Sequence, residues 1–558
     1  MVKHNRTLQL VLISAALWEL PALAVPPSQG LGARLPTMSA VTEGRKSSPQ
    51  TNDAPAPPIV WTIAGSDSGG GAGIQADLHA IHALGAHGCS VITAMTAQNT
   101  HEVTKVEYAT VPMIQATIEA LSEDLPAKAV KLGMMGTEDV ISVVGNFLDG
   151  YQGKVICDPV MISTSGSRLM AKGAQDCMKR RIFPRADLIT PNLSEAEELL
   201  GRKLCNPKDV EEGAAELLAT SGARAVLIKG GHFEGGGEDL CQDYWTDGTA
   251  LACWLTAPRI PGSNTHGTGC TLSSAVAACL ALGLEGLNAV VVAKAYVTQG
   301  IRAACQLGKG PGPVAQTGWP ERADCMPWMT MTAEEAVGDN RPKFLPCHKN
   351  WGLYPVVDTA EWVELLLSLG VRDIQLRIKG GTDKEIDAEV ARAQAACLAA
   401  GAGAGAGVGR LWVNDHCKAA LRHGAYGVHL GQEDLGAVGG EALHQIANSG
   451  LRLGVSTHSY AELSRALAVR PSYISLGPVF ETTSKSVGFP PRGLEGVRAW
   501  RALVDVPLIT IGGITLENAP QVLSAGSDGL AVIAAITKAE DLEQAVARWL
   551  ALFEDERL

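Results

Sequence analysis

From Ile59 onward, short apolar runs alternate with stretches in which apolar residues recur every three or four positions. The runs fall at residues 59–64, 90–95, 130–132, 155–157, 188–190 and 225–228. That rhythm predicts strands and helices in turn, and hence a mostly parallel sheet covered by helices. Two further runs, 240–245 and 250–256, flank Thr246-Asp247-Gly248-Thr249 and predict a hairpin. A helical pattern from Thr268 to Cys305 closes this first unit.

Residues 309–345 carry Gly310-Pro311-Gly312-Pro313 and little periodicity, as a connecting stretch would. Eight more apolar runs follow, at 353–357, 374–378, 411–413, 427–429, 453–455, 473–476, 508–511 and 530–533, most of them trailed by a helical segment. Eight such units predict a (β/α)8 barrel. The Gly/Ala tract at 400–409 predicts a lengthened surface loop. The expected layout is a leader at 1–57, an α/β domain at 58–318, a linker at 319–350 and the barrel at 351–553.

A chain of 558 residues is too long for one ordinary core, and 46% hydrophobic with 19% charged residues describes a compact soluble protein. The net charge of -12 argues against a nucleic-acid surface. Thirteen Cys without a CxxC pair read as reduced thiols, with no support for a zinc site. Residues 8–24 are apolar, but Trp18, Glu19 and Pro21 interrupt them, so no stable membrane association is expected. Lys3, His4 and Arg6 before that run and Ala22-Leu23-Ala24 after it resemble a cleavable signal, and a merely disordered tail is the alternative. With the Pro/Ser/Thr-rich stretch that follows, this suggests a plastid route, with mitochondrial or cytoplasmic placement as the alternatives. A homo-oligomer is compatible with the sequence.

The segment from Thr62 to Gly73, TIAGSDSGGGAG, follows a predicted strand and precedes a helix, and its glycines let a ligand approach the backbone. It fits neither the dinucleotide fingerprint nor the GxxxxGK[ST] loop. Asn264-Thr265-His266-Gly267-Thr268-Gly269-Cys270-Thr271 ends a loop and opens an apolar helix, whose free N–H groups and dipole predict an anion site. Charge developing on a transferred phosphoryl group would be stabilised there. Cys270 falls inside this cradle, although an inert buried thiol is the commoner fate of a cysteine.

Together with AQN at 97–99, KLGMM at 131–135, DPVM at 158–161, TPNLSEAEEL and KGGH, these motifs resemble the hydroxymethylpyrimidine/phosphomethylpyrimidine kinase family, in order, over about residues 58–318. The resemblance implies a ribokinase-like three-layer α/β/α domain. It implies that Gly65, Asp77, Gln98, Met134 and Val160 line a pyrimidine pocket. Asn192 and Glu195 would support Mg²⁺–ATP, and Lys229 and Thr268 would face the nucleotide. Cys270, framed by Gly267 and Gly269, stands where sugar kinases of this fold use an Asp base, either assisting deprotonation or completing the anion hole. Read singly, Asp77 fits a solvated helix residue, Gln98 a turn amide and Met134 core filling, while Asn192 and Glu195 fit a helix cap after Pro191. A pyridoxal-type kinase is the rival reading, and AQN with DPVM favours the pyrimidine.

In the second unit the unusual polar residues fall at predicted strand ends, where barrel enzymes place their chemistry. Gln375, Arg377 and Lys379 alternate at the second, Asn414 and Asp415 end the third, and His429 through Asp434 follow the fourth. Ser456 ends the fifth, Thr482 to Lys485 follow the sixth, Gly512-Gly513 end the seventh and Ile533-Ala534 the eighth. Two carboxylates beside Arg377, Lys379 and Lys485 suit an Mg²⁺-bound diphosphate. LYPVVD, QLRIK, LWVND, AYGVHLGQEDL, LRLGVSTH, RGLEG and TIGGI resemble the thiamine-phosphate synthase family from about Gly352 to Leu552. The resemblance implies that Gln375, Arg377, Lys379, Asn414, Ser456 and Lys485 bind hydroxymethylpyrimidine diphosphate and that Asp415 and Asp434 hold Mg²⁺. Thr482, Thr483, Ser484, Gly513, Ile533 and Ala534 would hold thiazole phosphate. Glu481, Ser484 and Ala534 depart from the family's usual Pro, Thr and Ser, which implies weakened phosphate binding at most.

The two resemblances fit each other, because the kinase product is the synthase substrate. They imply double phosphorylation of 4-amino-5-hydroxymethyl-2-methylpyrimidine by ATP, then condensation of the diphosphate with 4-methyl-5-(2-phosphoethyl)thiazole to thiamine phosphate. The alternatives make the barrel a non-catalytic ligand-binding regulator, or a thiazole phosphate isomerase with His429 as base.

Overall fold

The computed structural model describes residues 56–162, 168–171, 173–230, 239–348, 351–401, 408–482 and 488–555. Residues 1–55 of the expected leader, the middle of the Gly/Ala tract, and Thr483, Ser484 and Lys485 lie outside the described residues.

The first sheet contains β1 (Ile59–Asp67), β2 (His87–Gln98), β3 (Val103–Tyr108), β4 (Ala129–Leu132), β5 (Lys154–Cys157), β6 (Leu188–Ile189), β7 (Val226–Ile228), β8 (Leu240–Thr246), β9 (Cys253–Pro258) and β10 (Trp328–Thr330). Their spatial order is β10-β9-β8-β7-β6-β5-β4-β1-β2-β3. The central run from β2 to β7 is parallel, and antiparallel strands extend it at both edges. Alternation along the strands supplies two cores. Val60, Ala129, Ile156 and Leu227 face helices Thr268–Ala281 and Gly286–Ala303, while Trp61, Val130, Val155 and Val226 face the opposite helical layer. Parallel strands buried on both faces need such continuous apolar runs.

Two strands escaped the sequence pattern. β3, VTKVEY, has an exposed or half-buried side chain at every position, so no apolar run marks it. β10 falls inside the expected linker at 319–350, yet it pairs antiparallel with β9 and completes the sheet. The linker assignment is corrected accordingly: this stretch is part of the packed body. Arg341 lies 3.8 Å over the Trp328 ring and donates to the carbonyls of Leu467 and Ala468 in the second half.

The second half closes β11 (Leu353–Val357), β12 (Asp373–Leu376), β13 (Arg410–Asn414), β14 (Gly427–Leu430), β15 (Arg452–Thr457), β16 (Tyr473–Leu476), β17 (Leu508–Ile511) and β18 (Gly529–Val532) into a parallel barrel, with β18 pairing back onto β11. Trp351, Tyr354, Trp412 and Tyr473 fill its lower interior, the Trp412 and Tyr473 rings crossing edge to face at 4.8 Å. This packed plug leaves the carboxyl ends of the strands as the place for a ligand. Helix Tyr460–Ala468 joins the halves: the Ala461 N–H donates to Asn288 Oδ1 at 2.9 Å, and Ser464 Oγ donates to the Pro327 carbonyl at 2.9 Å.

Candidate functional sites

A cavity of about 730 Å³ opens at the carboxyl ends of the first sheet's parallel strands. Gly65, Gln98, Met134 and Val160 line it, as do Asn192, Glu195 and Lys229, and the helix mouth brings Gly267, Thr268, Gly269 and Cys270 to the same wall. Asp77 does not line it. Its carboxylate is fully buried, taking Lys131 Nζ at 2.8 Å, Thr62 Oγ1 at 2.6 Å and Ser274 Oγ at 2.8 Å. Lys131, inside the KLGMM motif, stands at the wall instead.

The glycine-rich loop wraps around Asp67, whose carboxylate accepts N–H groups from Gly69 at 2.8 Å, Gly71 at 3.2 Å and Ala72 at 2.8 Å. His266 Nε2 lies 3.2 Å from the same carboxylate and ties the loop to the helix mouth. Burial alone would raise the Asp67 carboxyl, but His266 and the loop N–H groups hold it below the ordinary range. Gly267 at φ 79 has no room for a Cβ, which would run into the Gly71 carbonyl. The two glycine segments therefore meet backbone to backbone, which only glycine allows at that conformation.

Ion pairs furnish the rest of the wall. Lys229 Nζ meets Asp158 Oδ1 at 2.7 Å, and Lys294 Nζ meets Asp243 Oδ2 at 2.7 Å. Asp243 also accepts the Gly230 N–H at 2.9 Å, fixing the chain just after Lys229. Asn192 and Glu195 form a capping box on helix Leu193–Leu200, so the cap reading of these residues holds while both still face the cavity. Burial pushes the Glu195 carboxyl up to about 7, Lys229 opposing and Asp158 adding to the shift. Burial likewise pushes the Cys270 thiol up to about 11, against the pull of Lys131. Asp67, Lys131, Asp158 and His266 belong to the site although none was singled out in the sequence; their signal was membership in the same motifs.

At the barrel rim, Asp415 sits just after β13 at φ 65, a left-handed conformation that Asp tolerates better than most residues. Asp434 lies in the first turn of helix Gln432–Asn448. Their carboxyls are within hydrogen-bonding reach, and burial followed by the Asp434 charge raises the Asp415 pKa, with Lys379 at 3.5 Å opposing. Among the described residues no three His, Cys, Asp or Glu side chains converge as a metal site, so the rim offers one pair of carboxylates. Such a pair fits Mg²⁺, which takes one or two protein carboxylates and completes its shell from phosphate and water.

Gln375 and Ser456 are the two ends of a buried chain through the barrel interior. Gln375 Nε2 donates to the Tyr354 hydroxyl at 3.2 Å, which meets the Tyr473 hydroxyl at 3.0 Å. Tyr473 in turn lies 2.6 Å from His429 Nδ1, and His429 Nε2 lies 2.8 Å from Ser456 Oγ. Asn414 is buried at the end of β13, and Arg377 follows the end of β12, its N–H donating to the Val357 carbonyl at 2.7 Å. Gly513, at φ 65, packs its backbone against Phe480 and the Glu481 carbonyl, beside Thr482. Ile533 caps the short helix Ala534–Thr537. The Glu481 side chain is exposed. Tyr354 and Tyr473 are residues of this site that the sequence did not mark, because buried tyrosines in strands read as core.

Comparison with known proteins assigns both halves. The profile for phosphomethylpyrimidine kinase matches residues 67–315, and that for thiamine monophosphate synthase matches residues 353–536. A probable thiamine biosynthetic bifunctional enzyme, chloroplastic, from Oryza sativa subsp. japonica is 34% identical over 501 residues, covering 88% of this chain and 87% of the rice protein. A hydroxymethylpyrimidine/phosphomethylpyrimidine kinase from Rhizobium meliloti is 45% identical over 46% of this chain and 96% of its own length. A thiamine-phosphate synthase from Cronobacter sakazakii is 49% identical over 38% of this chain and 96% of its own. The chain therefore belongs to the family of bifunctional thiamine biosynthetic enzymes, in which a phosphomethylpyrimidine kinase is fused to a thiamine-phosphate synthase barrel.

Proposed function

We propose that the first half phosphorylates 4-amino-5-hydroxymethyl-2-methylpyrimidine twice with Mg–ATP, and that the second half joins the resulting diphosphate to thiazole phosphate. In the first transfer the hydroxymethyl oxygen bonds to the γ-phosphorus as the bond to ADP breaks, and the hydroxyl proton leaves with the phosphate product. In the second, an oxygen of the monophosphate is the acceptor. The helix-mouth N–H groups at Gly269 and Cys270 hold the transferred phosphoryl oxygens. Cys270, a thiol at neutral pH with its pKa near 11, completes that hole as an S–H donor. Gln98 reads the pyrimidine edge, Met134 and Val160 cover its face, and Lys229 with Glu195 serves the Mg–ATP side.

At the barrel rim, Asp415 and Asp434 would hold Mg²⁺, which when bound neutralises the departing pyrophosphate. Arg377, Lys379 and Lys485 would take the remaining diphosphate oxygens, while Gln375, Asn414 and Ser456 hold the pyrimidine ring. The bond from the methylene carbon to the diphosphate breaks, the aminopyrimidine shares the positive charge, and the thiazole nitrogen bonds to that carbon. Thr482, Thr483, Ser484, Gly513, Ile533 and Ala534 would hold the thiazole phosphate. No protein nucleophile is needed. The isomerase alternative loses support because both ring nitrogens of His429 are engaged, by Tyr473 and Ser456. The leader and the chloroplastic rice and Arabidopsis relatives support a plastid location.

The observation that carries this reading is the opposed pair Asp415 and Asp434 on the rim of a barrel fused to the phosphoryl cavity. Purified protein given the alcohol, Mg–ATP and thiazole phosphate is expected to accumulate thiamine phosphate. Cys270→Ala should block product from the alcohol yet spare synthesis from preformed diphosphate, and Asp415→Ala should do the reverse. Folded protein that makes no product, or two variants that behave like the parent, would overturn the assignment.

A further inference from the structure

Two helices run side by side beneath the phosphoryl cavity, and they match level by level. At the upper level the Gly73 N–H, which opens helix Gly73–Ala83, faces the sulfur of Cys270. Four residues along each helix, Asp77 and Ser274 meet at 2.8 Å. Residues four apart share a helix face, so Cys270 stands one turn above the Asp77–Ser274 contact. Lys131 enters from β4 and occupies the gap: it pairs with Thr62 across the sheet, and the Thr62 hydroxyl also holds Asp77. Both Asp77 oxygens lie 2.8 Å from Lys131 Nζ. Lys131 borders the cavity whereas Asp77 does not, so the buried pair is oriented, with its cation toward Cys270 and its anion behind.

We propose that Lys131, anchored by Asp77, is a positioning residue that supplies a fixed positive field at Cys270 and so at the phosphoryl oxygens held beside it. The inference rests on the kinase reading of this cavity. The other charged groups facing Cys270 are Asp158 and Lys229, which are paired with each other, so their fields largely offset. Asp77 neutralises Lys131 only in part at Cys270, because the ammonium is the nearer of the two. Without the carboxylate, a lysine with 0% of its side chain exposed would tend to lose its proton. Asp77 thus keeps the cation charged, and burial, which alone would lower the Lys131 pKa, is overcome by that charge.

The Cys270 thiol reports this field, since only the thiolate reacts with iodoacetamide. The test follows alkylation of Cys270 in the full-length protein by peptide mass spectrometry between pH 7 and 11.5, alongside kinase turnover. Lys131→Met is expected to slow alkylation at fixed pH by ~10-fold or more, on the scale of one unit charge a few ångströms away at an effective dielectric of ~20. Asp77→Asn, which leaves the buried Lys131 without the charge that keeps it protonated, should also slow alkylation, though by less, and Lys131→Arg should stay within ~3-fold of the parent. Turnover of Lys131→Met should fall through kcat, with KM for the pyrimidine little changed, and Arg should restore part of it. Unchanged alkylation in Lys131→Met, or unchanged or faster alkylation in Asp77→Asn, would overturn the proposal. Should Lys131→Met fail to fold, Asp77→Asn decides: slower alkylation supports the anchored cation, and no change or acceleration overturns it. Alkylation reads the field whether or not the pyrimidine is the substrate, so failure of the coupled assay and failure of this inference are separate results.

Discussion

Replacing Asp415 by Asn should make the barrel more stable and its chemistry worse. Two like charges about 4 Å apart repel by about 4 kcal/mol at an effective dielectric of ~20. Asp415 is 19% exposed and Lys379 lies 3.5 Å away, so solvent and the ammonium remove much of that cost. A net relief of about 1–2 kcal/mol remains after such screening. At roughly 2–4 °C per kcal/mol for a domain of this size, the barrel transition in scanning calorimetry should rise by about 2–8 °C in EDTA. The pH dependence has a definite sign. Burial and Asp434 raise the Asp415 pKa in the fold above its ordinary value, so the folded barrel keeps a proton that the unfolded chain releases. Parent stability should therefore fall as pH rises from about 4 through the raised value, and the Asn variant should lose that part of the slope. Mg²⁺ with pyrophosphate at ~100 times its Kd should stabilise the parent by about 2.7 kcal/mol and the variant far less. A variant that melts at or below the parent in EDTA, and still gains from Mg²⁺ and pyrophosphate, would refute the shared-cation reading.

Three further outcomes test the first half. Gly267→Ala should abolish kinase turnover and leave synthase turnover intact, because the new Cβ meets the Gly71 carbonyl; full kinase activity would mean the two glycine segments do not meet as described. Lys294→Met leaves Asp243 buried and unpaired, and should lower kinase-domain stability by about 3–5 kcal/mol in urea unfolding, with Asp243→Asn in the same chain recovering most of it. Glu195, pushed up to about 7, should give the kinase pH–rate profile an acid limb between pH 6 and 8 that Glu195→Gln flattens; a limb that survives the substitution assigns it to another group.

The barrel was legible because each strand is a short apolar run bounded by polar or glycine residues: the runs at 353–357, 473–476 and 508–511 became β11, β16 and β17 without change. β10 was not legible, since three residues show no period and their pairing with β9 is a long-range contact. The site shows the same division. Motif order placed Cys270, Gln98 and Lys229 on one cavity wall, but which member of the Asp77–Lys131 pair faces the ligand depends on the register of β4 beside β1, where Lys131 pairs with Thr62. That register is set by packing, and no local spacing encodes it. Asn192 and Glu195 show why single residues are ambiguous: their capping role and their place in the cavity are both true.

The two halves meet phosphate charge with opposite arrangements. In the kinase cavity each of three lysines already has a carboxylate: Lys131 with Asp77, Lys229 with Asp158, Lys294 with Asp243. Burial would discharge a lone lysine, and these partners raise all three pKa values instead, so the cations stand ready before substrate enters. A preorganised hole of this kind suits two successive acceptors of different charge, the alcohol and its monophosphate, because it does not have to be rebuilt between them. The barrel rim is the reverse, two carboxylates facing each other with the exposed Lys379 close at hand. A divalent cation would relieve their repulsion, and it would take phosphate oxygens and water for the rest of its shell. On the proposed function, a diphosphate arriving with its metal would complete this site, and the thiazole partner would gain a charge-matched surface after that step.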